Sequence, residues 1–559
     1  MPRITIDGKQ LEADASSTII QAAFKNGITI PHFCWHPRLS VAGNCRMCLV
    51  EVEKLPKLVI ACSTQVSEGM VVRTNSERVI NAQEAVMEFL LINHPLDCPI
   101  CDEAGECKLQ DYAYKYSVGV SRFEFDKVRK PKRVELGPHV VLDTERCIMC
   151  SRCVRFCDEI AKKPQLVFTQ RADHVELTTF PGEKLDNPYS MNTIDICPVG
   201  ALTSKEFRFK ARVWEMSSTD TICQGCARGC NIKMWVRNNQ ILRLTPRYNP
   251  QVNDYWMCDY GRTETFGHVN APDRISQPMV RKDEKLVAVA WDEAISRTAL
   301  ELKTFKKSEI AGVASAYATN EDNYVFVKLM EHLGAKVASA PPHIAQGSED
   351  AILLRSDKTP NSAGAAEIDS GVTRRAGLDE ILQGIHQGTI KALYVLQDDL
   401  AAYGRAADAL SKLDLLVVHA TNENRTTKMA DIVLSCSTYA ERHGTIVNFE
   451  GQVQRLKPAV ATAELDRALD GFSMSRLDKF GAPNDRWTKS VKRDARPGWR
   501  ILTGVASALG VRWKFNSAEN VFEEISSELA PFKGMTYSGI GSRGMKLRKA
   551  PVMSPARRA

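Results

Sequence analysis

Hydrophobic and polar positions alternate from the start of the chain. Arg3-Ile-Thr-Ile and Lys9-Gln-Leu-Glu flank Asp7-Gly8, which is the pattern of a β-hairpin with a tight turn. A short amphipathic stretch from Ile19 to Phe24, closed by Gly27, predicts one helix crossing that small sheet. Over residues 78–92 the apolar positions recur at helical spacing, and Ile232 to Leu244, around Asn238-Asn239, read as another hairpin. From about Ala271 onward helical patterns alternate with short apolar runs such as Ala392-Leu-Tyr-Val-Leu and Leu413-Asp-Leu-Leu-Val-Val, which predicts an α/β region.

With 559 residues the chain is too long for one hydrophobic core, so several domains are expected. Composition is ordinary for a globular protein, 44% hydrophobic and 25% charged, and no apolar run is long enough to span a bilayer. The N-terminus enters a strand pattern at once, without a signal or transit pattern, so a cytoplasmic, bacterial-type location is expected. The net charge of +7 is spread thinly, and the one basic concentration, from Lys546 to the end, reads as a disordered or docking tail rather than a nucleic-acid site. Cysteine changes the picture most. Sixteen of the 17 lie between Cys34 and Cys258, and in a reducing compartment such clustering points to metal rather than disulfides.

Four groups emerge. Cys34, Cys45, Cys48 and Cys62 have the spacing C-x10-C-x2-C-x13-C, which suits a [2Fe–2S] cluster on a loop and its neighbouring segment. The hairpin and helix before them, together with this spacing, resemble the ferredoxin-like domain of complex I and of some hydrogenases and formate dehydrogenases. A structural zinc site is the plainer alternative, but it gives no reason for that hairpin and helix. Next come Cys98, Cys101 and Cys107, one ligand short of the four a cubane needs; the nearest spare donor is His94, held by Pro95. This H-x3-C-x2-C-x5-C arrangement is similar to the His-ligated [4Fe–4S] domain of the large iron–sulfur subunit of respiratory complex I.

Cys147, Cys150, Cys153 and Cys157 form the bacterial ferredoxin run C-x2-C-x2-C-x3-C, whose fourth cysteine ordinarily serves a second cluster. The second run is in register but emptied, with Asn187, Ser190 and Thr193 in place of three cysteines and only Cys197-Pro198 kept. Crossed ligation therefore assigns Cys147, Cys150, Cys153 and Cys197 to one [4Fe–4S] cluster and leaves Cys157 as a buried thiol. Cys223, Cys226, Cys230 and Cys258, spaced C-x2-C-x3-C-x27-C, resemble the [4Fe–4S] module that opens molybdopterin oxidoreductases, with a zinc ribbon as the plainer alternative.

In the second half, the segments from Ala318 and from Ala430 to Arg455 look like parts of molybdopterin enzymes, but the stretch Gly334 to His343 has no cysteine to hold a metal. Ser339 stays open as a ligand, and Cys436 reads as a buried thiol. No molybdopterin is therefore expected. The chain also stops early compared with full-length relatives. Gly539-Ile-Gly-Ser-Arg-Gly544 matches a dinucleotide fingerprint but follows no convincing strand and has too little chain after it.

The fold class is thus multidomain α+β and α/β. Six segments are expected: a [2Fe–2S] ferredoxin-like β-grasp domain (1–78), a His/Cys3 [4Fe–4S] domain (79–118), a [4Fe–4S] ferredoxin-like domain (138–208), the [4Fe–4S] module (215–271), a molybdopterin-oxidoreductase-like scaffold (272–530) and a basic tail (531–559). In this order they resemble the large iron–sulfur subunit of respiratory complex I, an NADH:quinone oxidoreductase and translocase. The resemblance implies electron relay without a catalytic side chain or substrate site. It implies a flavoprotein partner where NADH reduces FMN, a thioredoxin-like [2Fe–2S] subunit, and downstream iron–sulfur subunits of the peripheral arm. The membrane arm would be reached indirectly, nucleic acid not at all, and the location would be peripheral, at the cytoplasmic face of the bacterial inner membrane. The alternatives are a molybdenum or tungsten formate dehydrogenase, an iron-only hydrogenase, whose active cluster needs cysteines the second half lacks, and a redox-inactive assembly factor.

Overall fold

The computed structural model of the chain describes residues 1–371, 373–465, 471–473 and 492–548. It divides between Trp214 and Glu215 into two units. In the first, strands Arg3–Ile6 and Lys9–Glu12 pair antiparallel through a turn whose two central residues, Asp7 (φ 48°) and Gly8 (φ 81°), are both left-handed. That geometry matches the right-handed twist of the strands it joins. Val71–Arg73 adds parallel to the first strand, and Leu49–Val52 and Val59–Ile60 complete a five-stranded mixed sheet. Helix Ile19–Lys25 starts at a capping box of Thr18 and Gln21 and buries Ile19, Ile20, Ala22 and Ala23 against Ile4, Ile6, Val50 and Val72.

Helix Glu77–Leu91, capped by Ser76, leads away from this sheet and is followed by helix Lys108–Tyr116. The rest of the unit is a three-stranded sheet of Leu202–Ser204, Val140–Leu142 and Val134–Glu135, with helices Arg152–Glu159 and Asn192–Asp195 and the hairpin Leu166–Thr169/Glu176–Thr179.

The second unit opens with a four-stranded antiparallel sheet of Gln240–Pro246, Asn231–Arg237, Ser217–Ile222 and Phe472–Ser473. Its predicted hairpin turns at Asn238 and Asn239, both left-handed at φ 53° and 59°. The main body is a seven-stranded sheet. Five strands run parallel in the spatial order Lys336–Ser339, Ile310–Ala314, Ala392–Leu396, Leu415–Ala420, Ile432–Ser435, and the hairpin Met279–Lys282/Lys285–Ala288 adds antiparallel at one edge. Alternate strand residues feed opposite cores. Ile310, Ala392, Tyr394 and Leu396 pack toward Val325, Trp499 and Phe522, while Ala311, Val313, Leu393 and Val395 pack toward Ile381 and Ala406. Strand order reverses between Ile310–Ala314 and Ala392–Leu396, and a cavity of about 460 Å³ lies beyond the carboxyl ends there, lined by Tyr317, Asp398, His419 and Arg442 among others.

One boundary differs from the sequence expectation. Residues 531–548 are not a free tail: Phe532, Tyr537 and Ile540 are buried in the core of the second unit, and Met545–Lys546 pairs with Gln452–Leu456. The apolar side chains at these positions outweigh the basic ones that dominated the reading. The remainder of the expected tail, 549–559, lies outside the described residues. Gly539-x-Gly541 sits in the short helix Tyr537–Ile540 and the turn after it, not after a strand.

A buried ion pair ties the parallel sheet to its overlying helix. Arg442 donates to Asp322 at 2.8 Å, also reaching Gln397 Oε1 at 2.6 Å and Tyr317 O at 3.0 Å, and Asp322 accepts from Trp499 N at 2.7 Å. Removing one partner strands the other charge in the interior, so Arg442→Met is expected to destabilise the second unit by ~3–5 kcal/mol. Calorimetry resolving the two units should show its transition fall while that of the first unit stays in place.

Candidate iron–sulfur sites

In the first group, strand pairing supplies the approach. Leu49–Val52 begins directly after Cys48, Leu49 pairs with Ile60, and Ala61 N donates to Cys48 O at 2.9 Å, which brings Cys62 alongside. The Cys34 thiol is within hydrogen-bonding reach of those of Cys45 and Cys62, and Cys62 of Cys48. Cys34 N also donates to Cys45 Sγ at 3.4 Å. Between Cys45 and Cys48, Arg46 is left-handed (φ 59°), a conformation unfavourable for a side chain that a folded loop must hold in place.

The second group lies on the loop between two helices. Lys127 Nζ donates to Leu91 O and Ile92 O at 2.8 and 2.7 Å, and Asn93 Oδ1 accepts from Val128 N at 3.1 Å, so the loop is fixed just ahead of His94. Burial pushes the His94 imidazole down to about 4, with the Arg146 charge adding to it, so the ring is neutral near pH 7. Its Nδ1 is buried with no hydrogen-bond partner among the described residues. A neutral buried imidazole beside a three-cysteine loop is the donor chemistry that fits a cluster. Arg146, which also acts electrostatically on Cys101, is held by Asp97 at 2.8 Å and Asp143 at 2.7 Å. Arg212 donates to the Cys101 and Pro99 carbonyls. Cys107 is the N-cap residue of helix Lys108–Tyr116.

Cys147, Cys150, Cys153 and Cys197 line one small cavity closed by Phe168, Leu177, Val199 and Leu202. Cys157 does not line it. That thiol is fully buried against Asn187, whose Nδ2 donates to Gln165 Oε1 at 2.9 Å. The emptied run is satisfied largely by itself: Tyr189 N donates to Asn187 Oδ1 (3.0 Å), Asn192 Nδ2 to Tyr189 O (2.8 Å) and Thr193 Oγ1 to Ser190 O (2.6 Å). Two more left-handed side-chain-bearing residues, Met149 (φ 52°) and Ser151 (φ 62°), flank Cys150.

In the second unit, Cys223 N donates to Cys230 O at 2.8 Å, and Gly225 N and Gly261 N donate to the sulfurs of Cys223 and Cys258 at 3.4 and 3.3 Å. A Cβ at Gly261 would lie 3.3 Å from both of those sulfurs, so the helix carrying it is packed directly on the thiols. Ser339 is held by Asp369 at 2.9 Å, and Cys436 is fully buried at the end of strand Ile432–Ser435.

Burial pushes the thiols up, Cys147 to about 11 and Cys107 and Cys258 to about 12, with Cys153, Cys197, Cys223 and Cys230 also raised. Thiolates so placed need a cation among them, which iron supplies.

Three groups share the first unit, and the third touches both others. Cys107 Sγ faces Pro198 O at 3.8 Å, next to Cys197, and Lys108 N donates to the same carbonyl at 3.1 Å. Gly200 is pressed against the second group, where an added Cβ would stand 2.5 Å from Cys101 Sγ. On the other side, Arg155 Nη2 donates to Cys34 O at 2.6 Å and Cys150 O at 3.3 Å, and Asn44 Nδ2 to Met149 O at 3.1 Å. The third group, last in the chain of the three, thus contacts both of the others. Cysteine spacing does not show this, and Gly200 carries no motif signal at all.

These features define an iron–sulfur protein with an appended molybdopterin-oxidoreductase-type domain. The family models that match are, in chain order, "2Fe-2S iron-sulfur cluster binding domain" (2–77), "NADH-ubiquinone oxidoreductase-G iron-sulfur binding region" (83–122), "NADH-quinone oxidoreductase subunit 3, ferredoxin-like domain" (137–203), "Molybdopterin oxidoreductase Fe4S4 domain" (216–266) and "Molybdopterin oxidoreductase" (274–368 and 343–467). The chain is 43% identical over 334 residues to an NADH-quinone oxidoreductase subunit of Rickettsia bellii, covering 60% of this chain and 49% of that one. It is 43% identical over 338 residues to the mitochondrial NADH-ubiquinone oxidoreductase 78 kDa subunit of Neurospora crassa, covering 60% and 45%. A solved structure, an NAD+-reducing [NiFe]-hydrogenase, matches at 30% identity and a TM-score of 0.34 over 38% of this chain and 91% of that one. The chain is a homologue of these bacterial NADH-quinone oxidoreductase subunits and of their 75–78 kDa NADH-ubiquinone oxidoreductase counterparts, and it spans about half the length of the curated relatives it matches.

Gly200→Ala tests the packing of the third group on the second. The added methyl displaces Cys101, so iron content should fall by about four atoms per chain, the content of one cubane, while the visible spectrum of the [2Fe–2S] site persists. Unchanged iron would show that the contact can relax.

Proposed function

We propose that this chain relays electrons within an NADH:quinone oxidoreductase of the complex I type, from a flavoprotein subunit where NADH reduces FMN toward quinone. The ligand sets are Cys34, Cys45, Cys48 and Cys62 for [2Fe–2S]; His94, Cys98, Cys101 and Cys107; Cys147, Cys150, Cys153 and Cys197; and Cys223, Cys226, Cys230 and Cys258 for three [4Fe–4S] clusters. One observation carries the reading: in the first unit the third group lies against both the first and the second. Electrons entering at the first site leave from the second by way of the third.

When bound, each cluster supplies a reversible one-electron couple. The protein's part is to hold the sites close, exclude water and tune them through backbone donors to sulfur, charge and ligand type, with no side chain acting as acid or base. The neutral His94 makes its site less negative than four thiolates would.

The loop of the second group exposes Leu96 and Ile100, 65% and 66% accessible, beside the basic residues Lys127, Arg129 and Lys132. Apolar side chains so exposed at an exit site suit docking by a downstream iron–sulfur subunit of the peripheral arm. A thioredoxin-like [2Fe–2S] subunit and the flavoprotein are the other proposed neighbours, with the membrane arm reached indirectly. Among the described residues no helix is long and apolar enough to cross a membrane. The proposed location is peripheral, at the cytoplasmic face of the bacterial inner membrane.

Metal analysis of the purified chain tests the reading. About 14 Fe per chain is expected from one two-iron and three four-iron sites, without molybdenum or tungsten. Cys197→Ala should lose about four of them and Cys157→Ala none. Stoichiometric molybdenum would instead favour a formate dehydrogenase, and loss of iron in Cys157→Ala would overturn the crossed-ligand assignment.

A further inference from the structure

Two cationic side chains occupy the seam between the first and third cysteine groups. Arg152 is 4% exposed, its Nη2 donating to Trp35 O at 2.5 Å and its Nη1 to Ile196 O at 3.1 Å. These carbonyls belong to the residues next to Cys34 and Cys197. Arg155 joins Cys34 O, Cys150 O and the Ser40 carbonyl, and is braced by Ser151 Oγ at 3.1 Å. Around them Glu159 accepts from Ser40 N at 2.8 Å and from the Ser40 hydroxyl. Lys108, His32, His36 and Tyr112 also face the seam.

Burying a guanidinium this completely costs several kcal/mol unless charge of the opposite sign lies near it. No carboxylate is paired with Arg152 among the described residues. Burial lowers the pKa of this guanidinium, and the sulfurs of Cys150, Cys197 and Cys34 act against that shift. A buried cation thus stands where the first and third cysteine loops meet.

We infer that Arg152 and Arg155 are positioning residues that clamp the first and third sites to each other and, by their shared positive charge, hold both at a higher midpoint potential than either loop alone would give. The inference rests on the ligand sets proposed above. Passing one electron across the seam oxidises one site and reduces the other by a single charge, with no bond made or broken and no proton moved at either arginine. A cation common to both sites lowers the cost of the added electron wherever it resides, so the two potentials move together and their difference changes little.

Redox titration of the full chain, purified with its clusters and followed by electron paramagnetic resonance, tests this. In Arg152→Gln the [2Fe–2S] site and the Cys147/Cys150/Cys153/Cys197 site should both become harder to reduce, by about tenfold in the reduced-to-oxidised ratio at fixed potential, ~59 mV for one electron. The second site should be less affected. Arg152→Lys, which keeps the charge but loses the two-carbonyl fork, should recover most of the shift. Should Arg152→Gln fail to fold, the half-buried Arg155→Gln should give the same sign at both sites with a smaller amplitude. Unchanged potentials at both sites with iron content intact, or a shift at one site alone, would overturn the clamp. If the unaltered chain lacks either cluster signal, the ligand sets fail instead, a result that iron analysis separates from the first.

Discussion

Thiolates cannot be gathered in a protein interior without positive charge beside them, and that constraint organises the first unit. Left as thiols, Cys147 and Cys107 are pushed up to about 11 and about 12 by burial. Iron removes that penalty inside each cage, and arginines address what remains outside. Arg146 stands between Asp97, Asp143 and the His94 loop, and Arg152 and Arg155 stand on the opposite side of the third group. Local strain follows from the same demand. Arg46, Met149 and Ser151, each next to a cysteine of these loops, adopt left-handed conformations.

Much of this was legible in the residues because cluster binding is written locally. A C-x2-C spacing, a spare histidine beside three cysteines, and Asp-Gly or Asn-Asn at a turn each act through their immediate neighbours, so the hairpins, the helix ahead of His94 and the short apolar strands lie where periodicity puts them. Contacts between the groups were not legible. Gly200 matters because of a sulfur 99 residues earlier in the chain, and Arg152 because of carbonyls at Trp35 and Ile196. No local pattern marks such positions, although a charged residue inside a cysteine run, as in Cys150-Ser-Arg-Cys153, is a signal that could have been weighed. The C-terminal segment was misjudged for a related reason: its lysines and arginines are conspicuous, but Phe532, Tyr537 and Ile540 decide where it lies.

The second unit is organised by buried polar contacts at the ends of its parallel strands. Its parallel sheet has the reversal of strand order beside which α/β proteins bind ligands, and a cavity stands there. Near it Arg442 bonds Asp322 and Gln397, Ser315 bonds Asp398, and Tyr394 bonds His419. Ser339, at the end of the edge strand, is tied to Asp369. Such a network rigidifies the sheet and holds the strand ends in fixed positions.

The closing of early cysteine loops by residues made later has a consequence for biosynthesis. Loops containing Cys34 and Cys101 leave the ribosome early, but the residues that close them, Arg152, Arg155, Gly200 and Arg212, are made more than a hundred residues after the first of those cysteines. Neither early loop has its final walls until nearly the whole unit exists. The folded first unit, rather than any shorter stretch of it, is therefore what holds the cysteine loops in place.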